Sequence, residues 1–107
     1  MDYRVEISER AFRDLVDLGD RIHADRSVAA ARWLGGLERS ILKLETFPLS
    51  NALAPESRQL RRAVRQLLYG RKPRTYRVLY EVDESRKAVR VLTIRHWARD
   101  GVRPGEI

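Results

Sequence analysis

Thr75-Tyr76-Arg77-Val78-Leu79-Tyr80-Glu81-Val82 and Ala88-Val89-Arg90-Val91-Leu92-Thr93-Ile94-Arg95-His96-Trp97, joined through Asp83-Glu84-Ser85-Arg86, form the stretch that decides the fold. Both segments are rich in β-branched and aromatic residues, and the polar spacer suits a turn, so they read as consecutive antiparallel strands. In the first, Tyr76, Val78, Tyr80 and Val82 occupy the even positions while the odd positions include Arg77 and Glu81. The even set therefore faces a core. In the second, the β-branched set Val89, Val91 and Thr93 falls on odd positions. A register that pairs even with odd residues, such as Val82 opposite Lys87, buries both sets and leaves Arg77, Arg90 and His96 on one open face.

Working outward, Ala63 to Tyr69 reads as a strand ended by Gly70, and residues 2–7 alternate Tyr3, Val5 and Ile7 with Arg4 and Glu6. After Ser8, a natural N-cap, the period changes to Ala11, Phe12, Leu15, Leu18 and Ile22, which predicts a helix near 8–24. Ser27 can cap a second helix carrying Ala30, Trp33, Leu34, Leu37, Ile41 and Leu44 and ending before Pro48. The two form an αα-hairpin with Trp33 in its core, and close packing against the first helix would explain Gly35-Gly36. Residues 47–60, with Pro48, Asn51, Pro55 and Ser57, read as a loop with one helical turn. The order β-α-α-β-β-β predicts an α+β fold, an antiparallel sheet packed on one face by an N-terminal helical hairpin.

A chain of 107 residues fits one domain, and 43% hydrophobic with 35% charged residues allows a globular core. The sequence has no cysteine, which excludes disulfides and thiolate metal sites, and His23 and His96 are its only imidazoles. No metal or other cofactor is expected. The N-terminus lacks secretory character and no apolar run approaches a membrane span, so a cytoplasmic protein without membrane contact is expected. The net charge of +7 is unevenly placed: residues 1–57 hold eight Lys/Arg against ten Asp/Glu, whereas residues 58–107 hold fourteen against five. That half suits nucleic acid or an acidic protein.

The candidate site is the basic face of the three-stranded meander: Arg65, Arg71, Lys72, Arg74, Arg77, Arg90, Arg95, His96 and Arg99. Arginines can hold phosphates or stabilise charge developing on one, and His96 is the group among them suited to proton transfer near neutrality. Glu56 can act as a base or orienter, and Trp97 offers a stacking surface. The plain structural alternative is a solvated face whose arginines pair with Glu81, Glu84 and Asp100, with His23 merely on the surface.

The element order, Pro55-Glu56 followed by Leu60, Tyr76-Arg77-Val78-Leu79-Tyr80-Glu81-Val82 and Val91-Leu92-Thr93-Ile94-Arg95-His96-Trp97-Ala98-Arg99-Asp100 together resemble the RelE/ParE toxins of type II toxin–antitoxin pairs, over residues 2–100. The resemblance implies a cognate acidic antitoxin and one of two activities. RelE-like and YoeB-like members cleave mRNA on the ribosome; ParE-like members inhibit DNA gyrase without a hydrolytic site. Glu56, Arg77, His96 and Trp97 match the YoeB-like catalytic positions in order, with Trp97 standing where that pattern has tyrosine and ten residues continuing beyond it. The lysine-rich site of RelE-type nucleases is absent. The leading expectation is therefore a ribosome-dependent endoribonuclease using Glu56, Arg77 and His96, with Arg65, Arg74, Arg90, Arg95, Trp97 and Arg99 contacting RNA or phosphate. The alternatives are a gyrase inhibitor and an inactive antitoxin-binding module.

Overall fold

A computed structural model describes residues 2–99 and 101–107. The elements run β1 (Arg4–Ile7), α1 (Glu9–Arg21), α2 (Val28–Leu42), α3 (Ser57–Leu60), β2 (Arg65–Tyr69), β3 (Tyr76–Asp83) and β4 (Ala88–His96), with short 3-10 turns at Lys43–Glu45, Pro48–Ser50 and Pro104–Glu106. The fold is α+β, as the sequence predicts. Ser8 and Ser27 are the two helix N-caps, each accepting from the N–H three residues on, at 3.1 Å, a contact worth about 1 kcal/mol.

The sheet order is β1-β4-β3-β2. β2, β3 and β4 form the antiparallel meander, and β1 adds to β4 in parallel, with Arg4 opposite Ala88 and Ile7 opposite Val91. The helical hairpin covers one face. There Ala11, Leu18, Leu37, Ile41 and Leu44 pack on Val78, Tyr80, Val89, Val91 and Ile94, and Tyr76 and Val82 join the edge of this core, so the even positions of β3 do point to the helices.

The expected register needs two corrections. Near the turn even does pair with odd, but Val82 sits opposite Val89; Lys87, at φ 49°, belongs to the turn. Farther along, a β-bulge intervenes: Tyr80 is opposite Val91 but Leu79 is opposite Thr93. The extra residue, Leu92, shifts the pairing by one, so that Arg77 meets Arg95 and Tyr76 meets His96. Helix α1 holds this bulge in place. Ser8 Oγ donates to the Leu92 carbonyl at 2.9 Å, while Asp14 Oδ2 accepts from Thr93 Oγ1 at 2.5 Å and from the Ile94 N–H at 3.0 Å.

The face expected to be open is also covered. Ala54, Leu60 and Val64 from the 48–64 segment, Leu79 and Leu92 from the sheet, and Val102 from the C-terminal segment form a second core, with Ile107 against it. The sheet thus has apolar cover on both sides. Close packing at the glycine pair likewise differs from expectation: a Cβ on Gly36 would lie 2.1 Å from the Tyr69 hydroxyl of β2, which donates to the Trp33 carbonyl. Between the helices the close approach is instead at Gly19, beside Leu34.

Candidate functional site

Glu56 and Arg77 come together at the base of a cleft on the sheet face away from the helices. Glu56 precedes α3, and Arg77 projects from β3 on the face away from the helices. The guanidinium grips the carboxylate with both ends, Nη1 to Oε2 at 2.8 Å and Nη2 to Oε1 at 2.5 Å, while Nε donates to Gln66 Oε1 at 3.0 Å. The Val102 N–H also donates to Glu56 Oε2, at 3.1 Å. With Glu56 only 6% and Arg77 9% exposed, this is a buried bidentate pair. The hydrogen bonds from Arg77, reinforced by the Val102 N–H and opposed by burial, pull the Glu56 carboxyl down to about 2. Such a carboxylate is a poor proton acceptor.

His96 lies elsewhere. Because of the bulge it stands opposite Tyr76, with its ring edge-to-face against Tyr76 at 5.2 Å. Sharing one face with Arg77 and Arg90 was the expectation; the one-residue shift at Leu92 moves His96 to the helix side. Both ring nitrogens are engaged. The Ala98 N–H donates to Nδ1 at 3.1 Å, so Nδ1 carries no proton, and Nε2 donates to the Pro73 carbonyl. The imidazole ties the β2–β3 loop to the end of β4 and has no free nitrogen to offer a substrate.

Trp97, next along the chain, does return to the Glu56 side. An open cleft of about 570 Å³ is lined by Glu56, Gln66, Lys72, Thr75, Arg77 and Trp97. Lys72 Nζ rests 4.6 Å from the Trp97 ring centre, a cation–π contact. Of the four residues matched to a nuclease pattern, three therefore border one cleft, and His96 is not among its lining.

The remaining candidates scatter. Arg65 donates to the Asn51 carbonyl at 2.7 Å. Arg95 is buried beneath the C-terminal segment, with Nη2 3.6 Å from Glu106 Oε2; burial, then the neighbouring Arg99, lowers its pKa. Arg99 reaches the same Glu106 oxygen at 4.0 Å. Arg90 is exposed at the far end of the sheet opposite Glu81, and Arg74 is exposed on the helix side near Trp33 and Tyr76. Glu81 pairs with Arg62 through two bonds of 2.6 and 2.7 Å, and Glu84 with Lys87 at 3.4 Å. Asp100, the third carboxylate expected to pair, lies outside the described residues. Gln66, Val102 and Glu106 were not anticipated; apolar Leu79 and Leu92 on the nominally open parity were the available sign that something covers that face.

Among the described residues no group of three or more His, Asp or Glu could hold a metal ion, and no helix is long and apolar enough to cross a membrane.

The chain resembles the Escherichia coli toxin RelE, solved as a mutant in the free state, at TM-score 0.61 and 17% identity over 92% of this chain and 86% of that one. It also resembles chains of two toxin–antitoxin complexes. For RelBE2 from Mycobacterium tuberculosis the TM-score is 0.56 and the identity 28%, covering 92% and 95%. For intact E. coli RelBE they are 0.58 and 18%, covering 91% and 99%. The two E. coli likenesses speak to the fold alone. No curated protein sequence gives a significant match. The model of the ParE toxin of type II toxin–antitoxin system parDE matches residues 5–101, and on that match the chain belongs to the ParE toxin family.

Proposed function

We propose that this toxin acts by binding rather than by cutting, with DNA gyrase as its target and a cognate acidic antitoxin as its partner in the cell. The observation that carries the reading is the separation of the hydrolytic trio. Glu56 and Arg77 are spent on each other in a buried pair, and His96 sits on the opposite side of the sheet with both nitrogens bonded. An acid–base cleavage needs its groups convergent on one phosphate and free to exchange protons. A binding inhibitor needs neither. The family model supports the ParE branch, whose members the sequence resemblance links to gyrase inhibition, and the likeness to a chain of the solved RelBE2 toxin–antitoxin complex supports an antitoxin partner.

Ribosome-dependent mRNA cleavage is the second reading. The cleft of about 570 Å³ beside Trp97, Lys72 and Thr75 favours it, being edged by a ring on which a base could stack. Inducing the chain without an antitoxin and following plasmid topology beside mRNA integrity separates the two. The proposal expects impaired supercoiling and a DNA-damage response with transcripts intact, and unchanged toxicity in His96→Ala. Codon-positioned mRNA cleavage that disappears in His96→Ala overturns it.

A further inference from the structure

The turn between β2 and β3, residues 70–75, carries Arg71, Lys72 and Arg74 within four positions, all three exposed. Among the described residues no ion pair joins any of them to a carboxylate. The opposite end of the sheet is different: Arg4 and Arg86 both reach Glu6, at 3.1 and 2.9 Å, and Lys87 reaches Glu84 at 3.4 Å. At the tip the three neighbouring cations have no carboxylate to offset their mutual repulsion, Lys72 resting only on the Trp97 ring, whereas Arg4, Arg86 and Lys87 at the other end each have one.

The tip is also braced. The Arg74 N–H donates to the Arg71 carbonyl at 2.6 Å, the His96 ring to the Pro73 carbonyl, and the Trp97 N–H to the Thr75 carbonyl at 2.9 Å. Gly70, at φ +90°, lets the chain turn where a Cβ would lie 2.2 Å from the Arg74 carbonyl oxygen. The cations are thus mounted on an ordered backbone at the end of the meander, where Tyr76 pairs with both Tyr69 and His96, and little ordering is needed on binding.

We propose that this tip is a duplex-DNA contact that grips backbone phosphates without reading sequence. Exposed Arg and Lys without carboxylate partners are the groups that displace counterions from the phosphates of a duplex. The loop's composition argues against a protein partner here, because between Gly70 and Thr75 the sole apolar residue is Pro73, whereas the centre of a protein interface is aromatic and apolar and depleted in lysine. The inference goes beyond gyrase inhibition and is tested with no gyrase present, so either can fail alone.

The test is fluorescence anisotropy of the purified full-length chain with a labelled duplex of mixed sequence, between about 50 and about 200 mM salt. The triple variant Arg71→Ala/Lys72→Ala/Arg74→Ala is compared with Arg4→Ala/Arg86→Ala/Lys87→Ala, which removes the same charge from the paired end. The tip triple should lose about tenfold or more in affinity at low salt, and its slope of log K against log salt should be shallower by about 2.7, roughly 0.9 for each phosphate released. The control triple should stay within about threefold of wild type, with circular dichroism confirming that both remain folded. Equal losses in the two triples, no binding by wild type, tighter binding of single-stranded RNA through the same residues, or displacement of the duplex by polyglutamate at equal charge would each overturn the proposal.

Discussion

The Glu56–Arg77 clasp and the β2–β3 tip put the same kind of side chain to opposite uses. At the clasp, each end of the guanidinium has a partner, a carboxylate oxygen or Gln66, and almost no surface. At the tip three exposed cations have no carboxylate partner among the described residues, Lys72 resting only on the Trp97 ring. Burial decides which can act on a ligand: extracting Arg77 leaves Glu56 charged and alone in the interior, whereas a tip arginine gives up only water and screening ions. Excess charge in a sequence therefore overstates the charge available for function, because part of it is consumed in holding the fold.

The largest effect that could break this contrast is at the clasp. Arg77→Met strands the carboxylate and should lower unfolding free energy by about 3–5 kcal/mol in urea denaturation. The double variant Glu56→Gln/Arg77→Met should recover a substantial part of that loss. A cost near zero for Arg77→Met would mean the pair holds nothing. Acid titration comes next. The folded carboxyl of Glu56, at about 2, lies below its unfolded value near 4.3, so its contribution is complete above that value and is lost as pH falls through about 2. About 3 kcal/mol should disappear across this window, and Glu56→Gln should flatten that limb of the pH–stability curve.

Asp14 sharpens the comparison as a carboxylate whose hydrogen bonds go to a hydroxyl and a backbone N–H. Asp14→Ala leaves the Thr93 hydroxyl and Ile94 N–H at the bulge without their acceptor, which should cost about 2 kcal/mol and broaden the amide signals of 92–96 in NMR spectra. The smallest effect belongs to the tip, where the triple alanine variant should change thermal stability by less than about 0.5 kcal/mol while weakening DNA binding. A large stability loss there would make the tip a second clasp.

Much of this architecture was legible in the sequence. Ser8 and Ser27 announced the helix starts, the even positions of β3 announced the core face, and the strand order set the fold class. The site was less legible because it hinges on one inserted residue. Leu92 adds a position to the ladder without any change in composition, and that single shift carries His96 away from Arg77. The second core was hidden for a related reason: Ala54, Leu60 and Val64 come from an aperiodic loop, and Val102 from the C-terminal segment, so no period in those stretches points at the sheet. Parallel pairing of β1 with β4 joins the two ends of the chain, and neither strand carries a local mark of it.

Whether the toxin inhibits gyrase without hydrolysis, as proposed, is read out by a supercoiling assay on purified wild type and His96→Ala. Both should inhibit, with equal potency. Full supercoiling in the presence of wild type, beside ribosome-bound mRNA cleavage that vanishes in His96→Ala, would contradict it.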